Sequence, residues 1–317
     1  APYGREMHWS HLPIWSLMAI SATLEKIGVA PPIALELAGR LLMPLTGFLA
    51  FSALFLWLRR RIGLWEAALC ALAPAALLFW DFHPLRPDHH AVQIMAAFFC
   101  WLALLFSGFG WTSSARTDHA AKRLFILSGL LGGVGLWSGA TAFFFSLAAI
   151  ALAATILLFF SPNASETSGL RMRPDCWRIW SWVGAGTALL LYVLEYAPGP
   201  FALRLEVNHP LYALSWLGIG ECLYLWARWK HVDRRLSTLR LIHAALALTT
   251  AAALPVLVLF GPESAYLPRT LLMWRLHARH INAFVTVFVW ATQNNENPWL
   301  LLLRFIGPGL AGIGGWL

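Results

Sequence analysis

Residues 41–58, LLMPLTGFLAFSALFLWL, form an unbroken apolar run that stops on Arg59-Arg60-Arg61. A helix needs about 20 apolar residues to cross bilayer hydrocarbon, at about 1.5 Å per residue. A run of this length that ends on three cations therefore reads as a membrane span whose last turn meets cytoplasmic headgroups. The same pattern recurs at residues 63–80, 91–110, 124–140, 142–160, 179–196, 211–227, 239–260 and 299–317, with a tight turn expected at 138–141. The expected fold is thus all-α, a polytopic transmembrane helix bundle of about nine spans within a single transmembrane domain, 1–317. Residues 12–29 carry Glu25 and Lys26 and run into Pro31-Pro32, so they read as an amphipathic helix lying at the interface rather than a span. That helix belongs to a first outer loop at 1–35, and a long outer loop covers 261–298.

Composition agrees. Of 317 residues, 59% are hydrophobic and 12% charged, with a mean hydropathy of +0.64. Soluble domains carry about a quarter charged residues, so an ordinary soluble globule is excluded. Eighteen Trp and twenty Phe suit a protein with two membrane interfaces. The formal charge of +8 does not point to nucleic acid, because the cations sit between apolar spans. Cys70, Cys100, Cys176 and Cys222 are scattered without CxxC spacing, which suggests neither a disulfide framework nor a zinc site. Asn163-Ala164-Ser165 matches a glycosylation sequon but falls on the cytoplasmic side of this topology and is set aside.

Orientation follows from Lys and Arg. With Arg59-Arg60-Arg61 inside, the alternate loops place 14 of the 23 basic residues in the cytoplasm and seven outside. The histidines distribute the other way: His8, His11, His83, His89, His90, His209, His277 and His280, eight of eleven, fall on the outer face. Glu6, Asp81, Asp88, Glu206, Glu263 and Glu296 join them there.

Four clusters on that face carry candidate chemistry. The first is Asp81-Phe82-His83-Pro84-Leu85-Arg86-Pro87-Asp88-His89-His90, a short loop stiffened by prolines. Asp88, His89 and His90 can ligate a divalent cation, and the planar fork of Arg86 can hold a phosphate. A solvated polar turn is the alternative. The second cluster, Arg5-Glu6-Met7-His8-Trp9-Ser10-His11, leads into the interfacial helix, where Trp9 and Trp15 can equally be surface anchors. In the third, Arg204 to Pro210, Glu206, Asn208 and His209 can line the same cavity; Glu206 and Asn208 can equally cap the next helix with Pro210 opening it, and for Asn208 the cap is the preferred reading. The fourth, 261–298, carries Arg269, Arg275, His277, Arg279 and His280, which suit a phosphate or diphosphate head group. Within the spans, Glu195, Glu221 and His243 stand nearly alone as ionisable groups. Glu221 in mid-span is either functional or a packing contact to another helix.

These clusters resemble the GT-C superfamily of membrane glycosyltransferases, most nearly the catalytic subunit of oligosaccharyltransferases and its relatives. The resemblance implies many membrane helices and use of a polyprenyl-phosphate-linked sugar. It also implies an acidic motif in the first outer loop ahead of an amphipathic helix, and a second on the short loop between the third and fourth helices. With one helix preceding Ala1, the Asp88 loop falls at that second position, and His8-Trp9 resembles the end of the first outer loop. Residues 261–298 resemble the late outer loop that closes over substrate. The chain reads as truncated at both ends. There are departures. The first-loop aspartate is not visible, so Glu6 stands as its substitute. Thr286-Val287-Phe288-Val289-Trp290 is similar to a Thr-Ile-x-Glu motif but has Val289 where the acid would be, which weighs against protein N-glycosylation. No WWDYG-type motif is present.

The resemblance implies an inverting, metal-assisted glycosyltransferase. Asp88 and Glu6 are its candidate catalytic acids, and Asp88, His89 and His90 the ligands of a Mg or Mn ion. Arg86, His8, His11, Glu206, His209, Arg275, Arg279 and His280 are candidate substrate-binding residues, expected in one outward cavity. The expected setting is a bacterial inner membrane, with the site on the periplasmic or extracellular face and lipids as the surrounding partners. A transporter or flippase for a lipid-linked or anionic solute is the alternative. It requires polar groups along a path through the membrane, whereas these spans are nearly free of charge. A non-catalytic assembly subunit is a third possibility.

Overall fold

The computed structural model describes residues 11–77, 82–84, 89–161, 169–197, 207–235 and 237–260. Of two compact units, Ala1–Leu259 and Phe260–Leu317, the second lies outside the described residues apart from Phe260. The span expected at 299–317 and the loop expected at 261–298 are therefore outside them too. The elements run α1 (Leu12–Lys26), α2 (Pro31–Leu58), α3 (Leu64–Leu77), α4 (His89–Phe106), a 3-10 turn (Gly108–Gly110), β1 (Trp111–Thr112), α5 (Ala115–Phe160), β2 (Arg171–Met172), α6 (Asp175–Tyr196), α7 (Pro210–His231) and α8 (Thr238–Phe260). The two strands form a short antiparallel ribbon, with Trp111 opposite Met172.

This is a helical membrane protein. Among the described residues, four helices are long and apolar enough to cross a bilayer: Pro31–Leu58, Thr117–Ala140, Phe143–Phe160 and Thr238–Leu257. Eight of the nine expected spans fall between residues 41 and 260, where the described residues are largely helical. α6 and α7 are less apolar because they carry charges and small residues toward the centre of the bundle.

Two boundaries differ from expectation. α2 begins at Pro31, ten residues before the apolar run, because Pro31 and Pro32 preset the first turn and Glu36 pairs with Arg40 at 2.5 Å along its exposed face. It therefore starts inside the segment read as the 1–35 outer loop. α1 forms as expected and packs Leu17 and Ile20 toward the Leu42, Met43 and Phe82 cluster.

α5 is assigned as one helix of 46 residues, which straight would be about 69 Å long. It is not straight. Gly139 has non-helical backbone angles. Trp111, just before α5, packs its ring 4.9 Å from His231, while Ser161, just after α5, hydrogen-bonds the same His231 at 3.1 Å. Both ends thus meet one residue, and the helix folds back on itself at the turn expected at 138–141. Ser114 caps its start, accepting from the Thr117 amide while Thr117 Oγ1 accepts from the Ser114 amide.

α4 and α6 pack on the first half of α5, and α7 packs against α6. Phe125, Trp177, Trp180 and Trp216 stack edge to face through the centre, all four fully buried. Lipid offers apolar groups as much solvation as protein does, so such packing depends on close fit rather than on transfer from water. Gly184 provides that fit for Trp216: a Cβ there would lie 2.2 Å from the indole ring.

The helix pairing sorts the bundle into two ends. Arg61 lies over Trp57, Trp57 packs on Phe106, and Arg228, Lys230 and His231 close α7 beside both termini of α5. The opposite end holds His11, Gln93, Gly139, Glu195 and His209.

Candidate functional site at the Gly139 end

The break in α5 organises this end. Gln93, one turn into α4, donates from Nε2 to the Gly139 carbonyl at 2.5 Å. A Cβ at 139 would lie 2.2 Å from Gln93 Nε2, so any larger residue there displaces the end of the Gln93 side chain. Two residues earlier, Trp137 donates its indole hydrogen to Glu195 Oε2 at 2.7 Å. Glu195 Oε1 accepts from the His11 backbone amide at 2.9 Å and makes a short contact with His11 Nδ1. The Glu195 side chain is 4% exposed, so each of its oxygens has a partner where water cannot supply one. Trp15 packs between His11, ring to ring at 6.0 Å, and Trp137 at 5.7 Å. The first residue of the described chain, the first turn of α4 and the end of α6 are in this way tied to one turn of α5.

Of the Asp81–His90 motif, residues 82–84 and the helical backbone of His89 and His90 are described. Phe82 is buried against α2, where Gly47 leaves the space: a Cβ on Gly47 would lie 2.8 Å from the Phe82 ring. Phe51 meets that ring edge-on at 5.8 Å. His89 and His90 form the first turn of α4, ahead of Gln93. Phe82 is thus fixed against α2, and His89 and His90 open a helix tied to Gly139 through Gln93.

His11 is the expected site residue whose side-chain contacts join this arrangement: its ring binds Glu195 and remains 46% exposed. His209 has a contact within the fold. It is the N-cap of α7, its Nδ1 accepting from the Leu211 amide at 3.1 Å, with Pro210 opening the helix as expected. Burial lowers the His209 pKa from its ordinary value, which suits an acceptor nitrogen. Asn208, the residue expected to cap, is instead buried and donates to the Ala188 carbonyl of α6 at 2.8 Å. A capping ring and a buried amide exchange roles because the chain arrives at α7 already packed on α6. Glu6, His8, Arg86, Asp88, Glu206, Arg275, Arg279 and His280 lie outside the described residues, as do the side chains of His89 and His90. The cavity expected to unite them lies outside with them.

Among the described residues, no three of His, Cys, Asp and Glu gather to hold a metal ion. Glu195, the carboxylate fixed at this end, has both oxygens committed to His11 and Trp137.

Gln93 and Trp137 were not singled out from sequence. Gln93 had a signal, a lone amide inside an apolar run. Trp137 had none, being one of eighteen tryptophans. Glu221, in mid-span, proves to be a packing contact: it binds Arg178, Trp182 and His243.

A crystal structure of the Archaeoglobus fulgidus oligosaccharyltransferase in its apo form matches this fold with a TM-score of 0.54 at 16% identity. The match covers 85% of this chain and 33% of that one, so the chain spans about a third of that protein's length. No family model matches the chain, and no curated protein matches it by sequence. The likeness establishes an oligosaccharyltransferase-like fold.

Proposed function

We propose that this chain is the membrane portion of an inverting GT-C type glycosyltransferase. It transfers a sugar or oligosaccharide from a polyprenyl-phosphate-linked donor at the Gly139 end of the bundle, on the outer face of a bacterial inner membrane. The observation that carries the reading is the attachment of two candidate segments to one turn. His11, which follows Glu6 and His8, and the first turn of α4, which opens with His89 and His90, both converge on residues 137–139 in a chain of oligosaccharyltransferase-like fold.

In this reading the acceptor's nucleophile bonds to the anomeric carbon as the bond to the lipid phosphate oxygen breaks, and the configuration inverts. Asp88 and Glu6 orient the acceptor, and one of them receives its proton. Arg86, Arg275 and Arg279, with His8 and His280, neutralise the departing phosphate. A Mg or Mn ion held by Asp88, His89 and His90 would add to that neutralisation. Glu206 lies on the approach to α7 and contacts the substrate. His11 and His209 act through position, His11 by fixing the first segment and His209 by capping α7.

The test is sugar transfer from a polyprenyl-phosphate donor, measured with and without chelator in the full-length protein. Asp88→Asn keeps the shape and removes the charge, so transfer is expected to fall about 10²–10³-fold. Activity that survives both the substitution and metal removal overturns this assignment of Asp88.

A further inference from the structure

The connection between α2 and α3 reverses the chain where a span ends. α2 stops at Leu58, and the amides of Arg61 and Ile62 both donate to the Leu58 carbonyl, at 2.7 and 3.0 Å. Gly63 then takes a φ of 103°, in the left-handed region that glycine adopts freely, and α3 opens at Leu64. Eight successive residues, Arg59 to Glu66, are exposed. Arg59, Arg60 and Arg61 stand at the C-terminal end of α2, where the free carbonyls favour cations. Arg61 is held in place: its guanidinium lies 4.0 Å over the Trp57 ring, and its Nη1 donates to the Trp57 carbonyl at 3.1 Å. The acid nearest in sequence, Glu66, has its carboxylate beside Gly63, where a Cβ would lie 2.5 Å from Oε2. Among the described residues the ion pairs lie elsewhere, so Glu66 does not neutralise an arginine of this tip. Three cations against one carboxylate leave the tip net positive.

The same tip carries apolar groups. Trp65 is 77% exposed, with Ile62 and Leu64 exposed beside it. Behind the tip, only 28% of the most apolar stretch of α2 is buried within the protein, so the α2–α3 hairpin borders lipid. Indole rings settle at the bilayer interface, and guanidinium groups reach the headgroup phosphates. Other arginines at this end of the bundle are occupied: Arg173 by Asp118, Arg178 by Glu221 and Arg240 by Asp233. Arg234 and Arg235 are exposed on the α7–α8 connection but adjoin the Asp233 carboxylate. A zwitterionic headgroup neutralises its own phosphate. An anionic headgroup leaves a negative charge for the α2–α3 tip to meet.

We propose that the α2–α3 tip binds an anionic phospholipid of the surrounding bilayer, its headgroup held by Arg59, Arg60 and Arg61 and its glycerol region against Trp65. The planar fork of arginine suits a phosphodiester, which offers two oxygens to one guanidinium. Trp57 keeps Arg61 from folding away. The site is independent of the transfer chemistry proposed at the Gly139 end.

The experiment is native mass spectrometry of the protein released from nanodiscs of mixed phosphatidylglycerol and phosphatidylcholine. Arg59→Gln with Arg60→Gln removes two exposed cations from the tip. Arg234→Gln with Arg235→Gln removes the same charge from the α7–α8 connection. Trp65→Ala leaves the charge, and with it the orientation of the spans, untouched. Wild type is expected to retain phosphatidylglycerol over phosphatidylcholine. The Arg59/Arg60 variant is expected to retain about tenfold less phosphatidylglycerol, the effect of losing two headgroup-facing cations, and Trp65→Ala about threefold less. The Arg234/Arg235 variant is expected to match wild type, and excess inorganic phosphate to leave the lipid in place. Equal retention of the two lipids by wild type overturns the proposal, as does wild-type retention in both tip variants. So does an equal loss in the Arg234/Arg235 variant, which would make the attraction a property of the whole basic face, or displacement by inorganic phosphate.

Discussion

Trp137 of α5 donates its indole hydrogen to Glu195 of α6 at 2.7 Å, and through Glu195 it reaches His11 at the head of α1. Three segments far apart in sequence are joined by one carboxylate. Glu195→Ala leaves the Trp137 indole and the His11 amide without their acceptor, at a cost of about 1–3 kcal/mol for a buried orphan donor. Thermal unfolding in detergent is expected to drop accordingly, and proteolysis ahead of α1 to quicken. Glu195→Gln, which keeps acceptor oxygen, is expected to be milder. Equal losses in the two variants would mean that the contact is not a hydrogen-bonded anchor.

Gly139→Ala places a methyl where Gln93 Nε2 now sits, 2.2 Å away. Gln93 must then leave the Gly139 carbonyl, freeing the first turn of α4. Activity is expected to fall more than stability, because the fold retains its aromatic centre while the His89-His90 turn shifts. Gln93→Ala together with Gly139→Ala relieves the clash and is expected to regain stability without activity. A wild-type transfer rate in Gly139→Ala would remove Gly139 from the site.

His209 contributes a pH dependence. Burial lowers its folded pKa below the ordinary value of about 6.5. The unfolded chain therefore takes up the proton first as pH falls. The stability due to His209 is fully present above about pH 6.5 and is lost below it, until the folded pKa is passed. The structural cause is direct, since protonated Nδ1 cannot accept from the Leu211 amide. His209→Asn, which caps without titrating, is expected to flatten unfolding temperature against pH between about 7 and 5. An unchanged slope would place the titration elsewhere, with His231, whose pKa is lowered first by burial and then by Lys230 and Arg234, the next to examine.

Sidedness can be read by cysteine labelling. Arg60, Arg173 and Arg235 belong to the basic end, while His209 belongs to the Gly139 end. Cysteines at 60, 173 and 235 are expected to react only from the cytoplasm, and those at 88, 209 and 280 only from outside. Labelling of position 88 from the cytoplasm would remove the basis of the proposed function.

By itself the sequence determined the class of protein, the helices and the opposition of the two ends. Each of these follows from local quantities: apolar length against bilayer thickness, and the energetic preference of Lys and Arg for one interface. The turn at 138–141 was legible for the same reason, since the apolar stretch from 124 to 160 exceeds one crossing. Tertiary structure alone decided which polar groups meet. Glu195 and Glu221 look alike in sequence, each a lone carboxylate in an apolar run, yet one anchors His11 and the other gathers Arg178, Trp182 and His243. Asn208 and His209 are neighbours, and which of them caps α7 depends on Ala188, twenty residues away on another helix. Low-dielectric surroundings make every buried polar group find a partner. They do not specify which one, and that choice follows from how the helices pack.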